Sequence, residues 1–234
     1  MKNALITAAT KGIGRSIAIA LAKEGINLAI CSRHNAELAT FRSELVTINP
    51  DIQIFTAAAD CSIKQDLLQF AGAAEQRLGF ISIIVNCVGM FEQSSILDDA
   101  EDSFEKHVNI NLAPAYHLYR YFGKTMMAAG RGHIFNICSV VSLNPDAAAG
   151  SYSVTKYALL GLNKVMQQEM QPYGVKVTAI IPGSTFTESW KDAEVDKNKM
   201  VLPEDIASAI VNIYKMSPGA NVDELIIKPV YGQL

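Results

Sequence analysis

The sequence predicts an α/β fold with a doubly wound, seven-stranded parallel sheet and helices on both faces, on three observations. Short β-branched runs alternate with longer stretches of helical period along the whole chain. The runs are continuously apolar, as in Ile81-Ser82-Ile83-Ile84-Val85, so both faces of each strand must be covered. Glycine and proline mark the boundaries: Gly25 and Gly79 follow helices, Pro50 and Pro182 lie beyond a helix and a strand, and Pro203 opens a helix.

In chain order, strands are expected at Ala4 to Thr7, Asn27 to Cys31, Ile52 to Ala58, Ile81 to Asn86, His133 to Cys138, Val175 to Ile181 and Glu224 to Lys228. Between them lie helical segments at Gly14 to Glu24, Asn35 to Ile48, Lys64 to Leu78, Asp99 to Ala128, Ser151 to Gln171 and Pro203 to Met216. Pro114 falls inside the long helical pattern, where it removes the amide bond to the carbonyl of Ile110, so a kink is expected near Ile110 to Pro114.

The 234 residues, half of them apolar, suffice for one core, and no linker, repeat or low-complexity tract divides them; a single domain over 1–234 is expected. A net charge of −3, from 20 basic and 23 acidic residues, provides no basic field for nucleic acid or anionic membrane. The partner expected is a small molecule. Mean hydropathy is positive at +0.17, but stretches such as Phe80 to Val85 are far shorter than the ~20 residues of a spanning helix. Met1 to Thr7 leads directly into a strand with no room for a signal peptide, and a cytoplasmic location is expected. The cysteines, Cys31, Cys61, Cys87 and Cys138, are far apart in sequence, lack the spacing of a metal site and read as buried reduced thiols; no metal is expected.

In doubly wound sheets ligands bind beyond the carboxyl ends of the strands, where strand order reverses. Thr7-Ala8-Ala9-Thr10-Lys11-Gly12-Ile13-Gly14 follows the first strand and opens the first helix, placing Gly12 and Gly14 where backbone approaches a pyrophosphate. Glycines at such a turn also serve tight packing alone. Ser32 and Arg33 end the second strand, where a carboxylate would read the ribose 2′-hydroxyl of NAD(H). Arg33, with Lys11, instead offers cationic donors suited to a 2′-phosphate, which predicts NADP(H) in preference to NAD(H). Both could equally be solvated surface charges. Asp60, past the third strand, is placed to accept from an adenine amino group or to cap the helix that follows.

Tyr152 and Lys156 stand four apart at the start of a helix, on one face and within mutual reach. A phenol with a pKa near 10 is a poor acid or base at neutral pH, and a fixed ammonium beside it favours the phenolate. Tyr152 could then donate to a carbonyl as hydride arrives, or accept from an alcohol in reverse. Ser139 ends the strand His133 to Cys138 at the same sheet edge, where its hydroxyl can bond the substrate oxygen or the phenol. Ser142 and Ser153 are competing hydroxyls, one deeper in a loop and the other a helical step away.

With these residues in place, the whole chain resembles the short-chain dehydrogenase/reductases, Rossmann-type enzymes, and is similar to the 3-oxoacyl-(acyl-carrier-protein) reductases among them. The resemblance implies a nucleotide loop at Thr7 to Gly14, an adenine-binding Asp60, a conserved-type turn at Asn86-Cys87-Val88-Gly89, and catalytic Asn111, Ser139, Tyr152 and Lys156. It implies that Lys156 also binds the nicotinamide ribose, that Asn111 helps hold a relay water, and that Pro182-Gly183, Thr185 and Thr187 lie near the nicotinamide. The implied cofactor-binding set is Thr7, Ala9, Lys11, Gly12, Ile13, Gly14, Ser32, Arg33, Asp60, Cys61, Asn86, Val88, Gly89, Tyr152, Lys156, Pro182, Gly183, Thr185 and Thr187. A homotetramer or homodimer is implied as well.

Two departures stand out. Ala8 replaces the loop's first glycine, so that residue is expected to avoid positive φ, and Cys87 and Val88 replace the second Asn and the Ala of the family's Asn-Asn-Ala-Gly. Both are expected to weaken cofactor contacts modestly. Substrate contacts are expected from Gly89 to Leu97, Val140 to Gly150 and Ser184 to Val201, the last a lid holding the single tryptophan, Trp190. The lid's charges, Lys191, Asp192, Glu194, Asp196, Lys197 and Lys199, mix signs and specify no ligand. Three functions stay open: a 3-oxoacyl thioester reductase, a reductase of another ketone, sugar or pterin-like carbonyl, and an NADP(H)-binding sensor without turnover.

Overall fold

The computed structural model describes residues 2–190 and 195–232. Seven parallel strands form one sheet: β1 (Asn3–Ile6), β2 (Asn27–Ser32), β3 (Ile54–Ala58), β4 (Ile83–Asn86), β5 (His133–Ile137), β6 (Lys176–Pro182) and β7 (Glu224–Ile227). Their order across the sheet is β3-β2-β1-β4-β5-β6-β7. The chain leaves β1 in one direction for β2 and β3, then returns to lay β4 against its other side, with Ala4, Leu5 and Ile6 in register with Ile83, Ile84 and Val85. The reversal therefore falls between β1 and β4, and the crevice for a ligand lies beyond their carboxyl ends.

Why the strands read as continuously apolar is visible in how they pack. Ala4, Ile6, Ile83 and Val85 face a core built with Ile17 and Leu21 of helix α1 (Gly12–Lys23), Leu38, Phe41 and Leu45 of α2 (Asn35–Ile48), and Ile206 and Ile210 of α7 (Pro203–Tyr214). Leu5, Ala29 and Ile84, one residue out of phase, face a second core with Leu67 and Phe70 of α3 (Lys64–Leu78), Leu118 and Phe122 of α5 (Ala113–Ala129), and Met166 of α6 (Gly150–Met170). Side chains alternate across a strand, so two buried faces favour apolar residues throughout, and buried polar ones such as Asn136, His133 and Thr178 are hydrogen-bonded inside the fold.

The long helical region is not one bent helix. It consists of α4 (Ser103–His107), a π-helical turn at Val108–Leu112, and α5, whose first turn holds Pro114. Instead of a proline kink at Ile110, the chain inserts a wide turn in which the Ala113 amide bonds the Val108 carbonyl. Proline's missing donor is thus placed where a helix start needs none. Among the described residues no helix is long and apolar enough to cross a membrane.

Candidate active site

Thr7 closes the crevice from below. Its hydroxyl accepts from the amides of Cys87 (2.9 Å) and Val88 (3.1 Å), and its own amide donates to Val85 (3.2 Å), so the first loop is tied to the turn after β4. The two residues that depart from the usual asparagine turn are engaged there through backbone, which any side chain supplies equally. Asn86 is turned away from the crevice: its amide donates to Asn136 (2.7 Å), and Asn136 in turn to Asn163 (2.8 Å), a buried ladder linking β4, β5 and α6.

Ala8 corrects the sequence expectation, for its φ is +53°, in the left-handed region. It is the one non-glycine residue there among those described. The conformation is imposed from both sides: Thr7 is anchored as above, and the Ala9 amide donates to Cys31 at 3.1 Å, leaving residue 8 to make the turn. Gly12 has φ +51°, and a β-carbon on it would meet Thr187 at 3.3 Å. No side chain caps the first turn of α1, whose amides face the crevice. Ile13 packs back against the first core.

Beyond β1, β2 and β3 lies a cavity of about 240 Å³ whose lining includes Lys11, Ser32, Arg33, Asp60, Cys61, Val88 and Gly89, all expected from sequence to hold cofactor, Met90, expected from sequence only as part of a substrate loop, and Glu37, His34, Ser62 and Ile110, which were not expected. Asp60 does not cap α3, whose N-cap is Ile63. Its carboxylate instead accepts from the Ser62 hydroxyl (2.7 Å) and amide (2.9 Å), which, with the Arg33 charge as a smaller contributor, hold it below the usual carboxylate range. Lys11 is paired with Glu37 at 2.9 Å. The cysteines, distant in sequence, are brought together in one case: the sulfurs of Cys31 and Cys61 stand 3.7 Å apart. Cys87 is half-buried rather than buried.

Gly89 joins this cavity to the residues expected from sequence to be catalytic, since a β-carbon on it would lie 3.4 Å from Asn111 Oδ1 and 3.6 Å from Lys156 Nζ. Lys156 is buried, and its ammonium donates to the Ile137 carbonyl at 2.9 Å. It stands 5.7 Å from the Tyr152 ring centroid. Burial pushes the neighbouring thiols of Cys87 and Cys138 up to about 12, so neither provides a thiolate to neutralise that ammonium. Asn111, in the π-helical turn, accepts from the Met90 amide (2.8 Å) and donates to the Met90 carbonyl (3.1 Å) and Thr155 hydroxyl (3.2 Å). It thereby clamps the loop after β4 to the helix carrying Tyr152.

Ser139 is half-buried at the end of β5, its amide donating to the Ser142 hydroxyl at 3.2 Å. Ser142 and Ser153 are both buried, and the Ser153 hydroxyl is engaged with Asp146, so Ser139 keeps the more open position. Two aromatic rings frame Tyr152 edge-on: Phe91 at 5.1 Å and the buried His107 at 6.4 Å. His107 lies one turn before Asn111, a spacing that could have marked it as a residue facing the same helix.

Past β6, Pro182 ends the strand and the Gly183 amide donates to Ile227. Thr185 is buried, its hydroxyl bonding the Gly183 carbonyl at 2.8 Å, and Thr187 lies over Gly12. Trp190 is half-buried in a short turn at Glu188–Trp190. Lys191, Asp192 and Glu194 lie outside the described residues. A larger groove, about 630 Å³, sits at the start of β6 on the opposite edge, far from these groups in the fold.

A family model described as short chain dehydrogenase matches residues 2–198. An uncharacterised oxidoreductase of Staphylococcus saprophyticus is 27% identical over 229 residues, covering 98% of this chain and 97% of that one. An alcohol dehydrogenase from the archaeon Thermococcus sibiricus, solved with 5-hydroxy-NADP, superposes with a TM-score of 0.91 at 26% identity, over 100% of this chain and 99% of the other. A metagenomic short-chain oxidoreductase solved with NADP gives 0.86 at 26% identity, over 98% and 97%. The chain belongs to the short-chain dehydrogenase family, and it is an oxidoreductase of that family.

Proposed function

We propose that this chain is an NADP(H)-dependent oxidoreductase that interconverts a carbonyl and a secondary alcohol, with Tyr152 as the acid/base. The observation that carries the reading is the placement of Lys156: a buried ammonium, fixed on the Ile137 carbonyl and 5.7 Å from the Tyr152 ring. A charge so held has no function in packing, because burying an ammonium costs several kcal/mol unless it is well compensated. Beside a phenol it stabilises the anionic form that proton transfer requires.

The residues present suit a dinucleotide. Gly12 leaves backbone accessible at the start of α1, Gly14 lets that helix close on the Ala8 backbone, Gly89 leaves space between the two halves of the crevice, and the cavity after β2 holds Arg33 and Lys11. The bound cofactor supplies hydride chemistry. In reduction, Tyr152 gives its phenolic proton to the carbonyl oxygen, Ser139 donates to that oxygen and orients it, and Lys156 lowers the cost of the phenolate left behind. Asn111 holds the Met90 loop against α6, keeping the distance between Tyr152 and the crevice constant. Ser184 to Val201 serve as the substrate lid, anchored by the Phe186 amide on the Val201 carbonyl. Arg33 reads the 2′-phosphate, and the substrate is a 3-oxoacyl thioester.

Monitoring NADPH oxidation across acetoacetyl thioesters, simple ketones, sugars and pterin-like carbonyls tests this. Turnover of the thioester but not of simple ketones supports the named substrate, and turnover of the other compounds alone replaces it while keeping the chemistry. Tight cofactor binding with no oxidation by any carbonyl would leave a sensor.

A further inference from the structure

The two cations of the nucleotide cavity are not in equivalent states. Among the described residues no carboxylate lies within ion-pair distance of the exposed Arg33, whereas Lys11 is held between two: Glu37 of α2 at 2.9 Å and Glu188 of the lid at 3.8 Å. Glu37 is itself fixed, its second oxygen accepting from the Thr10 hydroxyl at 3.0 Å, and it sits in the first turn of α2, where the helix dipole favours an anion. The hydrogen bonds it accepts from Lys11 and Thr10 hold the carboxyl below its usual range, so Glu37 stays ionised at neutral pH.

We infer that Glu37 sets how strongly this protein distinguishes NADPH from NADH, by competing with the cofactor's 2′-phosphate for Lys11. The inference rests on the proposed NADP(H) reading. A phosphate monoester carries about −1.5 to −2 charges at pH 7. In a cavity that also contains the Glu37 and Asp60 carboxylates it meets Arg33, on which Asp60 acts only from beyond ion-pair distance, and a second cation, Lys11, already neutralised by direct contact. Glu37 therefore acts twice against the phosphate, by occupying Lys11 and by like-charge repulsion. NADH has no group to compete and is affected little. Glu188, longer in its contact and more exposed, is a minor contributor.

The test is equilibrium binding, by fluorescence titration of the intact protein with NADPH and with NADH. Glu37→Gln, which keeps an acceptor for Thr10, should tighten NADPH about threefold to fivefold and change NADH less than about twofold. Lys11→Met should weaken NADPH more in the Glu37→Gln background than in the parent, since only there is the lysine free to act. Equal gains for both cofactors, a weaker NADPH complex, or an identical Lys11→Met effect in both backgrounds would overturn the inference. Arg33→Ala separates the levels. If it weakens both cofactors alike, the 2′-phosphate reading itself falls and takes the inference with it; if it is selective for NADPH while Glu37→Gln is not, the inference alone fails.

Discussion

The carbonyl oxygen of Ala8 stands 2.5 Å from where a β-carbon on Gly14 would be placed. That separation is shorter than side-chain atoms tolerate, and the group in the way is backbone, which cannot swing aside. Gly14→Ala should push α1 away from the loop, costing about 1–3 kcal/mol of stability. It should also weaken NADPH binding by at least about tenfold, because the same movement displaces the amides at the helix start. Thermal unfolding and a binding titration read the two effects. A variant with parental cofactor affinity would show that the loop can shift without consequence.

Ala8 itself carries a conformational cost. An L-residue with φ +53° costs roughly 1–2 kcal/mol that glycine does not. Ala8→Gly should therefore stabilise the protein by about 0.5–1 kcal/mol, after the extra freedom glycine gains in the unfolded chain is subtracted. For a chain of this length the midpoint of unfolding should rise by about 1–4 °C. Unchanged or lower stability would mean that neighbouring groups, rather than residue 8, bear the strain.

Tyr152→Phe is a clean removal of the phenolic oxygen, because the ring contacts with Phe91 and His107 survive it. Turnover should fall about 10²- to 10⁴-fold, the usual range for a proton-transfer group, while the NADPH dissociation constant stays within about twofold. Lys156→Met should differ in kind. It removes the charge and the bond to Ile137 and, if the ribose contact implied by the resemblance holds, weakens cofactor binding as well. Retention of most activity in Tyr152→Phe would end its assignment as acid/base.

What the sequence discloses here follows the range of the interaction. Asn35–Ile48 and Lys64–Leu78 are helices with the limits their periodicity predicts, since 3.6-residue spacing and end signals are local. Tyr152 and Lys156 are readable for the same reason, one helical turn apart. Glu37 is not, because in sequence it is an ordinary acidic residue in a first turn, and only the packing of α2 beside the loop brings it to Lys11. Pro114 signals a disturbance but not its form. The wide turn is stabilised by Asn111 reaching Met90 and Thr155, 21 positions back and 44 ahead. Ala8 misleads outright, because propensity argues against its φ and the anchors on Thr7 and Ala9 override it.

His133 carries a pH dependence that can be separated from the chemistry. It opens β5, is 2% exposed, bonds the Thr178 hydroxyl at 2.8 Å and stacks on Phe135 at 3.9 Å. Burial, with the neighbouring Lys176 charge as a smaller cause, lowers its pKa to about 3. In the unfolded chain the same imidazole takes a proton near pH 6.5. Because the folded value is depressed, the contribution to stability is complete above pH 6.5 and is lost as the pH falls toward 3, when the unfolded state alone is protonated. The loss should amount to about 1.4 kcal/mol per pH unit, or about 2–3 kcal/mol by pH 4.5. Denaturant unfolding from pH 8 to 4.5 should thus fall less steeply for His133→Gln, which keeps a partner for Thr178 but has no proton to gain, even if the variant starts less stable at pH 8. Parallel curves for the two proteins would assign the acid sensitivity to carboxylates instead.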